Sequence, residues 1–194
     1  DNLRQDKIGT NMMKIVEWPD DALKQVCHDC KVGDKSLKRI SKQMAQLMYK
    51  TNGVGIASPQ VGLDIRLIVV DCEGEEYYGK DPLVMVNPVI VERKGDLVES
   101  SEGCLSLPGI SVVIERSPWV RVRYYDLDGE LWEIEGEGLL GVCLQHEIDH
   151  LDGKTLIEAA TPERRLQAVA DLAAAREAGA RPGEVGIPHE GDRE

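Results

Sequence analysis

Leu139-Leu140-Gly141-Val142-Cys143-Leu144-Gln145-His146-Glu147-Ile148-Asp149-His150-Leu151-Asp152-Gly153 is the stretch around which this chain is organised. Its apolar residues recur at helical spacing, and Gly153 stands where glycine commonly closes a helix C-terminus. Within it lies the pattern H-E-x-x-H. On a helix, His146 and His150 are four positions apart, so both imidazoles project from one face. Two neutral imidazoles so placed can share one divalent ion. Glu147, beside the first, can reach a water at that ion. Metal, water and base are the parts of a metal-dependent hydrolase. The same five residues also arise by chance on polar helix faces. Here they interrupt an apolar helix, in a chain with only four histidines.

Composition bounds the rest. A length of 194 residues fits one domain with a core of its own. The net charge of −12 argues against nucleic acid or an anionic membrane as the main partner. Five cysteines are an odd number, which excludes a complete disulfide framework and points to a reducing compartment, the cytoplasm of a bacterial-type cell or else an organelle. No apolar run approaches the roughly 20 residues of a membrane span. The first dozen residues lack an apolar stretch of secretory type. Met13 reads as a natural start, with residues 1–12 as an N-terminal extension before it.

Along the chain, Met13 to Trp18 reads as a short strand or extended segment, stopped by Pro19. Asp20 to Val26 has room for one or two helical turns. Cys27-His28-Asp29-Cys30 is a C-x-x-C pair. No second pair follows at zinc-ribbon spacing, so buried thiols are the expectation. Asp34 to Lys50 is an amphipathic helix with Leu37, Ile40, Met44, Leu47 and Met48 as its stripe. Strands are expected at 66–71, 83–92, 111–116, 120–125 and 131–135, with Pro88 marking an edge or a bulge and Asp128-Gly129 a tight turn. Lys154 to Glu158 reads as extended. Thr161-Pro162 opens a helix expected to run to about Ala178 on an apolar face of Leu166, Val169 and Ala173. Residues 179–194, rich in Gly, Pro and charge, have the composition of a disordered tail, and His189 within it is not expected to ligate.

A tetrahedral site on H-E-x-x-H needs a third protein ligand and an open position. Cys104, the other cysteines and many carboxylates are available, and spacing alone does not choose among them. Resemblance does. Gly53-Val54-Gly55-Ile56-Ala57-Ser58-Pro59-Gln60, Glu102-Gly103-Cys104-Leu105-Ser106-Leu107-Pro108 and Gln145 to Gly153 resemble the three signature motifs of the peptide deformylases, in the family's order. The resemblance covers roughly Met13 to Ile157. A helix after the third motif is similar to the bacterial class that carries one.

The resemblance implies an α+β fold of small, largely antiparallel sheets around the H-E-x-x-H helix. It implies a catalytic domain over 13–160 with a C-terminal helix at 161–178. It also implies Cys104, His146 and His150 as ligands of one divalent ion, most often Fe²⁺, with Zn²⁺, Ni²⁺ or Co²⁺ as substitutes. Glu147 would carry the proton of the attacking water. The Gln60 amide and the Leu105 N–H would hold the charge that grows on a formyl oxygen. The substrate would be the N-formylmethionine end of a new polypeptide at the ribosome, bound by backbone hydrogen bonds to a monomeric enzyme. Gly55 and Gly103 match positions beside that backbone. Val54, Leu139, Val142 and Cys143 match the lining of a methionine pocket. Glu102 and Arg116 match an ion pair under the cysteine loop. Ser111 stands where some relatives carry Arg or Tyr, which puts a peptide contact there in doubt.

Two other readings compete. An H-E-x-x-H endopeptidase would need no cysteine in the Glu-Gly-Cys stretch. A metal-stabilised binding module would need neither Glu147 nor Gln60.

Overall fold

The computed structural model describes residues 13–182 except 73, 75 and 77. The expected extension at 1–12 lies outside the described residues, as do His189 and most of the expected tail. Residues 179–182 are described and close the last helix: Gly179 is left-handed, with φ of 89°, and Ala180 N–H reaches Ala175 O at 2.9 Å.

Among the described residues, seven strands and four α-helices build an α+β fold. Strands β1 (Gly55–Ala57), β2 (Leu67–Val70), β3 (Leu83–Lys94), β6 (Trp119–Tyr125) and β7 (Leu131–Glu137) form one antiparallel sheet in the order β1-β2-β3-β6-β7. Strands β4 (Val98–Cys104) and β5 (Leu107–Arg116) form a separate hairpin. The helices are α1 (Ser36–Lys50), α2 (Gly138–Leu151), α3 (Leu156–Ala159) and α4 (Pro162–Glu177).

Helix α2 is apolar along most of its length, and nine of its residues are buried. Its Cys143, Leu144, Ile148 and Leu151 pack with Ile68, Val70, Val120 and Val122 of the sheet. Burial on that scale, at about 25 cal/mol per Å² of apolar surface, makes this the element the sheet closes on. Close approach is possible because Gly136 and Gly141 face each other: a Cβ on Gly141 would meet Gly136 O at 2.8 Å. Helix α1 buries Leu37, Ile40, Met44 and Met48 against Ile56, Leu67 and Val69, the stripe expected from its period. Asp34 accepts from the Ser36 N–H at 2.9 Å and so supports the α1 start.

The differences from expectation have physical causes. Pro88 lies in the middle of the sheet. A break in the β3–β6 register between Val86 and Val89 accommodates its missing N–H, so the bulge is realised and the edge is not. No strand forms at Met13–Trp18. Instead Val16 N–H donates to Gln60 O at 2.7 Å and Trp18 N–H to Ser106 O at 3.0 Å, fastening this extended segment across both motif loops. Strand β4 had no apolar alternation to announce it, since Val-Glu-Ser-Ser-Glu-Gly-Cys is mostly polar. Residues 154–158 are not extended throughout: Thr155 and Glu158 form a reciprocal capping box that opens α3. Helix α4 forms where Thr161 and Pro162 place it, but on a different face. Ala168 and Leu172 are buried, while Leu166 is 76% exposed. Small residues let the helix lie close on the hairpin, where a Cβ on Gly109 would come within 3.1 Å of Ala175 Cβ.

Candidate active site

Three separate elements converge on one buried spot. Helix α2 supplies His146 and His150, 8% and 0% exposed. The β4–β5 hairpin supplies Cys104 at its closed end, where Cys104 pairs with Leu107 across the turn Leu105-Ser106. The loop after β1 supplies Gln60. One ligand atom from each of Cys104, His146 and His150 lies within 4.8 Å of the others. Cys104 Sγ and His150 Nε2 are 3.4 Å apart.

The surroundings orient this trio. His146 Nδ1 is 3.0 Å from Glu102 Oε1, which turns its Nε2 inward. Glu102 is held in turn by a two-pronged ion pair with Arg116, at 2.8 and 2.7 Å, and Arg116 also donates to Asp149 at 2.7 Å. Burial pushes the Glu102 carboxyl up, but the hydrogen bonds from Arg116 and His146 outweigh it and hold it at about 2. A charged Glu102 therefore sits under His146 at neutral pH. Burial pulls His146 down, but Cys104, Glu102 and Glu147 overcome it and carry the imidazole well above its usual range. Positive charge is favoured at that spot. A cation there satisfies the same anionic groups, and burial keeps His150 neutral, as a ligand must be. The donor set of one thiolate and two imidazoles fits a divalent transition ion.

Glu147 is 4% exposed and lies beside this cluster, its Oε1 4.0 Å from His146 Nε2. Its Oε2 has no hydrogen-bond partner within the described residues. Burial pushes its carboxyl up to about 7, against the pull of His146 and Arg116. A carboxylate poised near neutrality can both take and return a proton. Gln60 is anchored through its oxygen, which accepts from Ala57 N–H at 2.9 Å. Its NH₂ thereby faces Ser106 Oγ at 3.2 Å and Cys104 Sγ at 3.4 Å. A donor so fixed is aimed at the cysteine side of the cluster.

A family model described as polypeptide deformylase matches residues 12–166. The chain belongs to the polypeptide deformylase family. A peptide deformylase of Alkalilimnicola ehrlichii is 40% identical over 147 residues, covering 76% of this chain and 81% of that protein. One from Thermodesulfovibrio yellowstonii is 41% identical over 154 residues, 79% of this chain and 92% of its own. Among solved structures, the peptide deformylase from Legionella pneumophila superposes with a TM-score of 0.79 at 38% identity, over 87% of this chain and 97% of that one. The peptide deformylase from Synechococcus elongatus in complex with actinonin gives 0.78 at 34% identity, over 92% and 95%. Deformylase membership makes this chain an enzyme, a hydrolase of peptide N-formyl groups with a metal-binding site.

The other residues named from the deformylase resemblance range from buried to exposed. Gly55 and Leu105 are buried beside the cluster: a Cβ on Gly55 would strike Glu147, and one on Gly53 would meet Leu105 Cδ1 at 3.1 Å. Gly103 is half-buried at the register break between Glu102 and Cys104. Val54 and Val142 are half-buried and Cys143 is buried, whereas Leu139 is 55% exposed at the start of α2. Ser111 is exposed on β5. Cys27 and Cys30 are buried thiols and are not members of the ligand cluster found among the described residues.

Three contributors were not anticipated. Ser106 holds the Gln60 amide, and Asp149 holds Arg116. Gln145 binds the Ser117 backbone in both directions, at 3.0 and 2.9 Å, and so pins α2 to the chain after β5. Each is a polar residue inside or beside a motif, and that proximity was the available signal.

Proposed function

We propose that this deformylase acts on the formylmethionine end of newly made polypeptides through the residues of the buried cluster. The observation that carries the proposal is Glu147, buried and with one oxygen unpartnered, next to three ligand atoms within 4.8 Å of one another. Cys104, His146 and His150 would hold a divalent ion, which when bound acidifies water and polarises a carbonyl. Glu147 takes the proton of the attacking water and passes it to the leaving amine. The Gln60 amide and the Leu105 N–H donate to the formyl oxygen as negative charge grows on it. The products are formate and a free N-terminus.

Substrate binding follows from the open edge of the sheet. Among the described residues strand β1 pairs only with β2, which leaves its other edge for an extended peptide at Gly55, with Gly103 on the facing hairpin. Val54, Val142 and Cys143, with Leu139 at the rim, form the apolar pocket for methionine. The catalytic unit spans 13–160 and carries the 161–178 helix. It works as a cytoplasmic monomer on chains leaving the ribosome. Among the described residues no helix is long and apolar enough to cross a membrane. The position of Cys104 beside both histidines favours this reading over an endopeptidase, and Glu147 with Gln60 favours it over a binding module.

The metal in this reading is Fe²⁺. One thiolate beside two imidazoles binds Zn²⁺ more tightly, but Fe²⁺ more readily accepts a fifth ligand. The test strips the protein anaerobically, reloads one equivalent of each metal and follows formate release from a formyl-Met peptide. The Fe²⁺ form should be the most active and decay in air, with Ni²⁺ or Co²⁺ forms active and durable. Glu147→Gln should keep its metal and lose at least about a hundredfold in rate. A metal-loaded Glu147→Gln protein with wild-type turnover overturns the mechanism.

A further inference from the structure

Gln60 and Ser106 meet in the interior although 46 positions separate them, and their exposures are 1% and 0%. One segment of chain holds both backbones: Val16 N–H donates to Gln60 O at 2.7 Å, and Trp18 N–H donates to Ser106 O at 3.0 Å. Their side chains then join, with Gln60 Nε2 donating to Ser106 Oγ at 3.2 Å. The far side of the amide is tied as well, since its oxygen accepts from Ala57 N–H at 2.9 Å. A primary amide has two N–H donors. Ser106 takes one, and the other is left on the side of Cys104 Sγ, 3.4 Å from the nitrogen. Ser106 also follows Leu105 in the turn that closes the β4–β5 hairpin. The hydroxyl that holds the amide is therefore one residue from the Leu105 N–H, the other donor assigned to the formyl oxygen.

We propose that Ser106 is a positioning residue for the reaction: its hydroxyl fixes the plane of the Gln60 amide and its place relative to the Leu105 N–H. The proposal rests on the roles given above to Gln60 and Leu105. Donors to a growing oxyanion work because their direction is set before the charge appears. With Ser106 Oγ in place, the amide is held at both its oxygen and its nitrogen, and the remaining N–H is the one that serves the formyl oxygen. Without it, only the bond to Ala57 orients the amide, and a buried N–H is left without its acceptor. Ser106 acts through Gln60, so its effect belongs to kcat, where charge on the formyl oxygen is felt, and not to KM.

The experiment uses the full chain and compares Ser106→Ala, Gln60→Ala and the double variant. Turnover of a formyl-Met peptide is measured on the Ni²⁺ form, and urea midpoints confirm that each variant is folded. Removing an oxyanion donor costs about a hundredfold in kcat, so Gln60→Ala should fall by about that much and Ser106→Ala by about tenfold, with KM nearly unchanged. In the Gln60→Ala background, Ser106→Ala should make no further difference, because the residue it serves is gone. Ser106→Thr, which keeps the hydroxyl, should restore kcat. A second readout needs no turnover: hydrogen exchange of the Gln60 side-chain amide, followed by NMR in the Zn²⁺ form, should be severalfold faster in Ser106→Ala. A loss of equal size in the Gln60→Ala background would make Ser106 merely structural and overturn the proposal. Wild-type kcat or wild-type exchange in Ser106→Ala would overturn it too, with the role of Gln60 left standing. If Gln60→Ala itself turns over like wild type, the functional reading of Gln60 fails first, and this proposal fails with it.

Discussion

Gly55 and Glu147 are in direct contact: a Cβ on Gly55 would stand 2.6 Å from Glu147 Oε1 and 3.0 Å from its Cγ. Real Cβ atoms do not approach that closely, so any side chain here must move the carboxylate. Gly55→Ala should therefore lower kcat by about a hundredfold, the scale on which misplaced catalytic groups act. Metal content should be unchanged, since the three atoms nearest to that Cβ all belong to Glu147 and none to Cys104, His146 or His150. Paired kcat and elemental measurements check this. A wild-type kcat would show that Glu147 can swing aside without loss.

Glu102 links the site to stability. Its carboxyl is held at about 2 in the folded protein, below its ordinary range. A depressed carboxyl adds stability that is complete above the unfolded value of about 4.3 and disappears as pH falls through the folded one. The stability difference between wild type and Glu102→Gln should thus be flat near neutrality and shrink between pH of about 4 and about 2. Urea midpoints measured across that range test it. A difference that grows on acidification would show that the pair with Arg116 is not what stabilises the loop.

The C-x-x-C pair makes a prediction about reactivity. Burial, followed by nearby carboxylates, pushes both Cys27 and Cys30 up to about 11. Thiolate is the reactive form, so at pH of about 8 both should resist iodoacetamide in the folded protein. Cys72, less buried, should label before them. Peptide mapping after timed alkylation gives the order. Early labelling of Cys27 would mean that its region opens readily.

Helix α4 offers a contrast between two leucines seven residues or fewer apart. Leu172 is 1% exposed and packs with Ile110, Val112 and Ala168. Leu172→Ala should cost about 2–5 kcal/mol. Leu166 is 76% exposed, and Leu166→Ala should change stability by less than about 0.5 kcal/mol. Thermal or denaturant midpoints separate the two. Equal losses would mean that the Leu166 face is covered in solution.

The sequence by itself determined the local parts of this protein. Helical period identified α2 and the buried stripe of α1, and Thr161-Pro162 marked the start of α4, because caps and periodicity act within a few residues. The i, i+4 spacing placed His146 and His150 on one face for the same reason. Strand alternation identified β5, β6 and β7 but was silent for β4. The polar residues of β4 become a strand only by pairing with β5, and that information lies in β5. Periodicity pointed to Leu166, Val169 and Ala173 as the apolar face of α4, and all three are exposed. The buried face was decided by Gly109, which admits Ala175 and so favours the side carrying Ala168 and Leu172. The third corner of the cluster, Cys104, could be chosen from the chain only by family likeness. Its approach to His150 spans 46 positions and depends on how the hairpin packs against α2. The environment of Glu147 was likewise decided by tertiary structure, since desolvation and the closeness of Gly55 exist only once β1 and α2 are in contact.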